Sequence, residues 1–186
     1  MVDPKQGLER MVACFEALAI PYFVGGSMAS SLHGLWRHTN DVDFVADISL
    51  QQIEPLAQAL QADFYADAEM MRSAISHGRP FNVIHLPTSF KFDIFPASPG
   101  AFQQSEMRRR VHLSGTAVGI DGVIPTATVE DIILAKLAWF RQGNSEQQWK
   151  DLQGIVKTKG KTLDRDYLRQ WARHLQVEEL LDALLA

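Results

Sequence analysis

Asp41 and Asp43 are separated by a single valine and followed by Phe44 and Val45, so β-branched and aromatic residues surround the two acids. Such a run favours a short strand. Side chains alternate along a strand, so Asp41 and Asp43 project from one face while Val42 and Phe44 enter the other. Two carboxylates held side by side repel each other, and one takes up a proton unless a divalent cation lies between them. Asp93 repeats the setting, flanked by Phe92 and Ile94, and a neighbouring strand would bring it within reach of the pair. Three oxygen donors suit magnesium, which takes carboxylates, water and substrate phosphates. Two such ions can clamp the attacking and leaving oxygens of a phosphoryl or nucleotidyl displacement.

Gly25-Gly26-Ser27 lies between a strand-like run, Tyr22-Phe23-Val24, and a helix-like one that begins at Ser27. Glycines let the backbone turn tightly and approach a ligand closely, amides at a helix start attract anions, and Ser27 adds a hydroxyl. Taken alone the turn reads rather as an ordinary strand-to-helix connection with Ser27 as cap. Arg37, just before the acidic strand, could reach a phosphate or pair with one of the acids. Lys91 shares the face of Asp93 and could contact phosphate or form a structural salt bridge. None of the histidines has a partner at recognisable metal spacing.

These residues need a sheet with helices around it. Leu8, Met11, Val12, Phe15 and Leu18 recur at helical spacing, and Pro21 ends that helix before the first strand. Ser49 reads as the cap of a helix through Leu60. A second helix is expected over Ala66 to Ser76, with Met70, Met71, Ala74 and Ile75 inward. Phe81 to Leu86 and Lys91 to Phe95 read as a hairpin joined through Pro87-Thr88-Ser89, which would put Asp93 on an antiparallel strand beside Asp41 and Asp43. Val111-His112-Leu113, Ala117 to Ile120 and, after an Asp121-Gly122 turn, Val123-Ile124-Pro125 would close the sheet. From Thr128, which with Asp131 resembles a capping box, the pattern turns helical: Ser145 to Lys157, Asp164 to Leu175 and Val177 to Leu185 follow. The class expected is α+β, a mixed β-sheet flanked by helices with a C-terminal helical bundle. Residues 1–126 would form the core and 127–186 a helical region packed on it.

With 186 residues the chain can bury a substantial core, and 46% hydrophobic with 22% charged residues is the balance of an ordinary globular protein. The single cysteine, Cys14, rules out an internal disulfide and a cysteine-rich zinc site. No stretch has the length of a membrane span, and Met1-Val2-Asp3-Pro4-Lys5 has no signal-peptide pattern, so a cytoplasmic setting is expected. A net charge of -4 argues against a generally basic nucleic-acid-binding surface. Arg108-Arg109-Arg110 and the lysines at 157, 159 and 161 read as a solvated helix end and a polar loop.

The Gly-Gly-Ser turn, the Asp-Val-Asp strand, the later lone aspartate and then Lys136 and Lys150-Asp151 on following helices occur in an order that resembles the nucleotidyltransferase superfamily of DNA polymerase beta. Within it, the chain looks most like abortive-infection toxins of the AbiEii type and their bacterial relatives. The resemblance implies a nucleotidyltransferase fold and transfer of a nucleoside monophosphate from an NTP. The acceptor hydroxyl would belong to an RNA end, a protein or a small molecule such as an aminoglycoside. Gly25, Gly26 and Ser27 would bind the nucleotide phosphates. Asp41 and Asp43 would hold two magnesium ions, with manganese as an alternative. Asp93 would hold one of these ions or take the acceptor proton. Lys136 would contact the triphosphate and Asp151 would orient that lysine. A cognate antitoxin or another partner protein is implied for a toxin. A non-catalytic nucleotide-binding or antitoxin-like module is the alternative.

Overall fold

The structure, a computed structural model, describes residues 5–35, 41–143 and 145–186. Arg37 lies outside the described residues. The chain opens with helix α1 (Lys5–Ala17), strand β1 (Tyr22–Val24), helix α2 (Gly26–Leu32) and strand β2 (Asp41–Ala46), followed by α3 (Ile53–Leu60), the two-residue β3 (Phe64–Tyr65) and α4 (Ala68–Ser76). The hairpin β4 (Phe81–His85) and β5 (Phe90–Pro96) leads to α5 (Ala101–Arg109), then β6 (Val111–Ser114) and β7 (Val123–Thr126). Four helices complete the chain: α6 (Val129–Gly143), α7 (Glu146–Lys159), α8 (Arg165–Leu175) and α9 (Glu178–Leu185).

The strands form one mixed sheet in the order β3-β4-β5-β2-β1-β7-β6. β1 and β2 are antiparallel, β1 and β7 parallel, and β6 and β7 antiparallel. β4 and β5 pair as the expected antiparallel hairpin, but β5 runs parallel to β2. The expectation of an antiparallel strand beside Asp41 and Asp43 is therefore corrected. The connection from β2 carries two helices and the hairpin's first strand, which returns the chain in the original direction. The stretch 117–120, expected as strand, instead forms a 3-10 turn over Gly115–Val118 that Gly119 ends in the left-handed conformation, φ 78°.

Alternation along β2 and β5 sorts the side chains. Val42, Phe44, Ala46, Phe90, Phe92 and Ile94 are buried, while Asp41, Asp43, Val45, Asp93 and Phe95 are only partly covered. The apolar face is closed by α1. Phe15 meets Phe44 edge-on at 5.3 Å between ring centres, and Gly7 lies so close to Phe92 that a Cβ there would come within 2.9 Å of the ring. Phe92 in turn contacts Phe44, Phe64 and Phe90.

The terminal helices are set by local chemistry. Ser145 and Asp164 accept hydrogen bonds from the amides of Gln148 and Tyr167 as N-caps of α7 and α8. Ile132, Ile133, Leu134 and Leu137 of α6 are buried, as are Leu168 and Ala172 of α8 and Leu181 of α9. Arg141 donates to the carbonyls of Leu175 and Gln176, satisfying the end of α8. No described helix is long and apolar enough to cross a membrane.

Phe92→Ala should destabilise the protein by about 3–5 kcal/mol, the usual result of emptying a filled aromatic site. Leu50→Ala, at an exposed position, should change stability by less than about 0.5 kcal/mol. Urea denaturation followed by circular dichroism measures both.

Candidate active site

The parallel pairing of β2 and β5 sets Asp43 directly opposite Asp93 and Asp41 opposite Lys91. Adjacent strands lie roughly 4.8 Å apart, so the acids share one face as neighbours. Burial first, then the charges of Asp41 and Asp93, pushes the pKa of Asp43 up to about 6, while Lys136 and Lys91 pull it down. Lys91 answers the crowding: its Nζ lies 2.7 Å from Asp93 Oδ2, a bond that raises the lysine's own pKa. Among the described residues no group of three or more Asp, Glu, His or Cys side chains is gathered into a set that could hold a metal ion. The structure thus brings the three acids to one face without drawing their carboxyl groups together. Like charges diverge and recruit lysines unless a stronger cation is between them. The donors are hard oxygens under mutual repulsion, and that chemistry fits magnesium or manganese.

The glycine turn is built around Asp43. Gly25 is extended, and its N–H donates to the Asp43 carbonyl at 2.8 Å, so that amide is engaged by the sheet and not directed at an anion. Gly26 has φ 58°, and a Cβ on it would collide with the Asp43 carboxyl, lying 2.8 Å from its Cγ. Glycine is required there twice, for the left-handed backbone and for the close approach. Ser27 follows in α2, whose seven residues are steadied by Ser30 and Ser31 hydroxyls donating to the carbonyls of Gly26 and Ser27. Beyond the helix, His33 Nε2 donates to the Ala127 carbonyl at 2.8 Å, tying α2 to the start of α6.

Lys136 is buried on α6 and its Nζ lies 3.4 Å from Asp151 Oδ2 on α7, while Asp151 Oδ1 accepts from Gln147 at 2.9 Å. The structure therefore pairs the lysine and the acid that the sequence placed on successive helices. Gly25, Gly26, Ser27, Asp41, Asp43 and Lys136 line one cleft of about 860 Å³, together with Val45, Phe95 and Trp139. Phe95 and Trp139 meet edge-on at 6.0 Å and form an aromatic wall one side-chain step along the sheet from the acids.

This is the nucleotidyltransferase fold. The solution structure of the antibiotic-resistance factor ANT(2'')-Ia matches with a TM-score of 0.54 at 13% identity, over 95% of this chain and 95% of that one. The crystal structure of ANT(2'')-Ia in complex with adenylyl-2''-tobramycin gives 0.56 at 11% identity, over 92% and 95%. An antigenic nucleotidyltransferase-like protein from Paracoccidioides brasiliensis gives 0.50 at 15% identity, over 100% and 94%. No protein-family model matches the sequence, and no curated protein resembles it.

On this nucleotidyltransferase fold the cleft has a second acidic wall that the sequence reading did not include. Glu106 of α5 and Asp131 of α6 both line it and are buried. Asp131 was expected only as a capping residue, a role it fills: Thr128 Oγ1 donates to its Oδ2 at 2.7 Å, and its own amide donates to Thr128 Oγ1 at 3.2 Å. The signal for Glu106 was its spacing, one helical turn after Phe102 on the inward face of α5. Arg109, expected at a solvated helix end, is half-buried instead. It stacks on the Tyr167 ring at 3.7 Å and reaches Glu130, clamping α5 to α6 and α8.

Two outcomes follow from the crowding at Asp43. Its folded pKa, about 6, lies above the 3.8 of an unperturbed aspartate. Ionisation above pH 6 therefore opposes folding, and below about pH 4 the group is neutral in both states and has no effect. Asp43→Asn should stabilise the protein at pH 7.5 by on the order of 2 kcal/mol, with the gain fading between pH 6 and 4; urea titrations across that range test it. Gly26→Ala should lose about 1–2 kcal/mol from the left-handed backbone alone and displace the Asp43 carboxyl, seen as a lowered thermal midpoint and a changed Asp43 carboxyl shift in NMR.

Proposed function

We propose that the chain is a metal-dependent nucleotidyltransferase that moves a nucleoside monophosphate from an NTP to an acceptor hydroxyl. The observation that carries this reading is the in-register pairing of Asp43 with Asp93 on adjacent strands, where Asp41 and Asp43 line the same cleft as Gly26, Ser27 and Lys136 and Asp93 stands just outside its lining. A neighbour in the fold holds adenylyl-2''-tobramycin, which supports nucleotidyl chemistry on a small-molecule acceptor.

In the proposed reaction the acceptor oxygen attacks the α-phosphorus, the bond from that phosphorus to the bridging oxygen of the β-phosphate breaks in line, and pyrophosphate departs. Asp93 takes the hydroxyl proton or shares in holding a metal, and the triphosphate competes for Lys91, which neutralises Asp93 beforehand. Lys136, steadied by Asp151, holds the β- and γ-phosphates together with the Gly26-Ser27 turn. With α2 only seven residues long, anion binding here rests on local amides, the Ser27 hydroxyl and Lys136 more than on a helix dipole. Two magnesium ions, or manganese, held by Asp41 and Asp43 with help from Asp93, would supply charge neutralisation at the attacking and leaving oxygens. Residues 1–126 act as the catalytic core, and 127–186 supply Lys136, Asp151 and the aromatic cover.

The AbiEii-like resemblance adds a toxin role with a cognate antitoxin. Incubation with each labelled NTP and total RNA or lysate identifies the acceptor among RNA, protein and small molecules. Asp43→Asn should lower magnesium-dependent pyrophosphate release by at least about a hundredfold while leaving the fold intact by circular dichroism; unchanged release would remove the reading. Binding of a non-hydrolysable ATP analogue with no release on any acceptor pool would instead identify a non-catalytic nucleotide-binding module.

A further inference from the structure

Glu106 is 6% exposed and lines the cleft from the last turn of α5. Its carboxyl group has no hydrogen bond or ion pair among the described residues. Its neighbour Asp131, fully buried, takes up the local donors. Thr128 Oγ1 donates to Oδ2 at 2.7 Å, the Tyr167 hydroxyl donates to Oδ1 at 2.6 Å, and Arg109 Nε lies 3.9 Å from Oδ2. One acid of the pair is fully served and the other is left open to the cleft. Burial, followed by the charge of Asp131, pushes the Glu106 pKa up to about 8.

A buried acid without a partner is destabilising, and removing that penalty takes a cation or a strong donor. The triphosphate cannot supply one, because its charge has the same sign. An RNA end brings a polyanion against two acids in a chain of net charge -4. An ammonium group offsets both the burial of Glu106 and the field of Asp131. The cleft, about 860 Å³, is of a size that takes small ligands.

We propose that Glu106 is the recognition point for an ammonium group on a small hydroxylated acceptor, so that the acceptor class is an amino-bearing polyol or amino alcohol. This inference rests on the nucleotidyl-transfer reading, since it assigns the second substrate of the same cleft. Asp131 is the fixed negative neighbour that strengthens the site, held by Thr128, Tyr167 and Arg109 so that it does not itself turn to the ligand.

The test is isothermal titration of the full chain, first with the non-hydrolysable ATP analogue AMPCPP and magnesium, and then, on the loaded protein, with tobramycin, glucosamine and ethanolamine, and with glucose as the uncharged control. The comparison is wild type against Glu106→Gln, which keeps the side-chain shape and removes the ionisable group. At least one amine should bind wild type tenfold or more tightly than the variant, with glucose showing no difference and AMPCPP binding alike in both. AMPCPP binding with no Glu106-dependent amine among the three overturns the inference and leaves the nucleotidyl reading standing. No AMPCPP binding overturns both. A raised thermal midpoint of Glu106→Gln with unchanged amine affinities would show a merely structural acid and likewise overturn the inference.

Discussion

Asp43 is held between two other carboxylates because the opposite face of its strand leaves it no choice. Val42, Phe44, Phe92 and Ile94 are all essentially inaccessible to water, and each such side chain contributes roughly 1.5–3 kcal/mol on burial. Their sum outweighs the repulsion at Asp43, whose raised pKa corresponds to only a few kcal/mol. Apolar packing thus fixes the strands, and the acids are carried along on the reverse side. The strain of their proximity is absorbed partly by Lys91 and remains available to any cation that enters. The stability of the core and the electrostatic tension of the site are two faces of one pair of strands.

The rest of the cleft is arranged around that tension. Gly26 admits the Asp43 carboxyl where any side chain would collide with it, so turn and strand are matched to one another at atomic contact. Lys136 brings a positive charge to the same carboxyl from the helical layer, and Asp151 with Gln147 keeps that charge from wandering. Arg109 and Tyr167 do comparable work on the far wall, holding Asp131 and locking α5 against α6 and α8. The pocket thus lies between the strand acids Asp41 and Asp43, the helix lysine Lys136, and a second pair of acids, Glu106 and Asp131, on α5 and α6.

The strands that bear the acids were legible because each acid sits within a β-branched or aromatic run, and the alternation tells which face it takes. The hairpin of β4 and β5 was legible from its turn residues. The direction of β5 against β2 was not, because parallel pairing depends on the path of a connection more than thirty residues long, which carries no local signal. The two-residue β3 was invisible for a similar reason: Phe64 and Tyr65 form a strand only because His85 and Ile84 lie opposite. Lys136 and Asp151 could be placed on successive helices from the sequence, but their 3.4 Å contact is a product of how α6 packs on α7. Glu106 was passed over because an isolated glutamate in a helix is usually solvated. Its spacing from Phe102 puts both on one face of α5, but that this face lines the cleft is set by tertiary packing.

The long excursion between β2 and β5 has a consequence for how such a chain can change. Within residues 47–80 the buried side chains Ile53, Leu56, Leu60, Phe64 and Met71 belong to the core, but a change of length in the exposed turns between them does not alter the register of Asp43 with Asp93, which β2 and β5 set between themselves. A single residue added between Phe90 and Asp93 would instead turn the carboxylate into the oily layer and a phenylalanine out into the cleft. Of residues 47–80 only Gly78 lines the cleft, so length can vary in the exposed turns of the excursion while the spacing of the acids is set by the two strands alone.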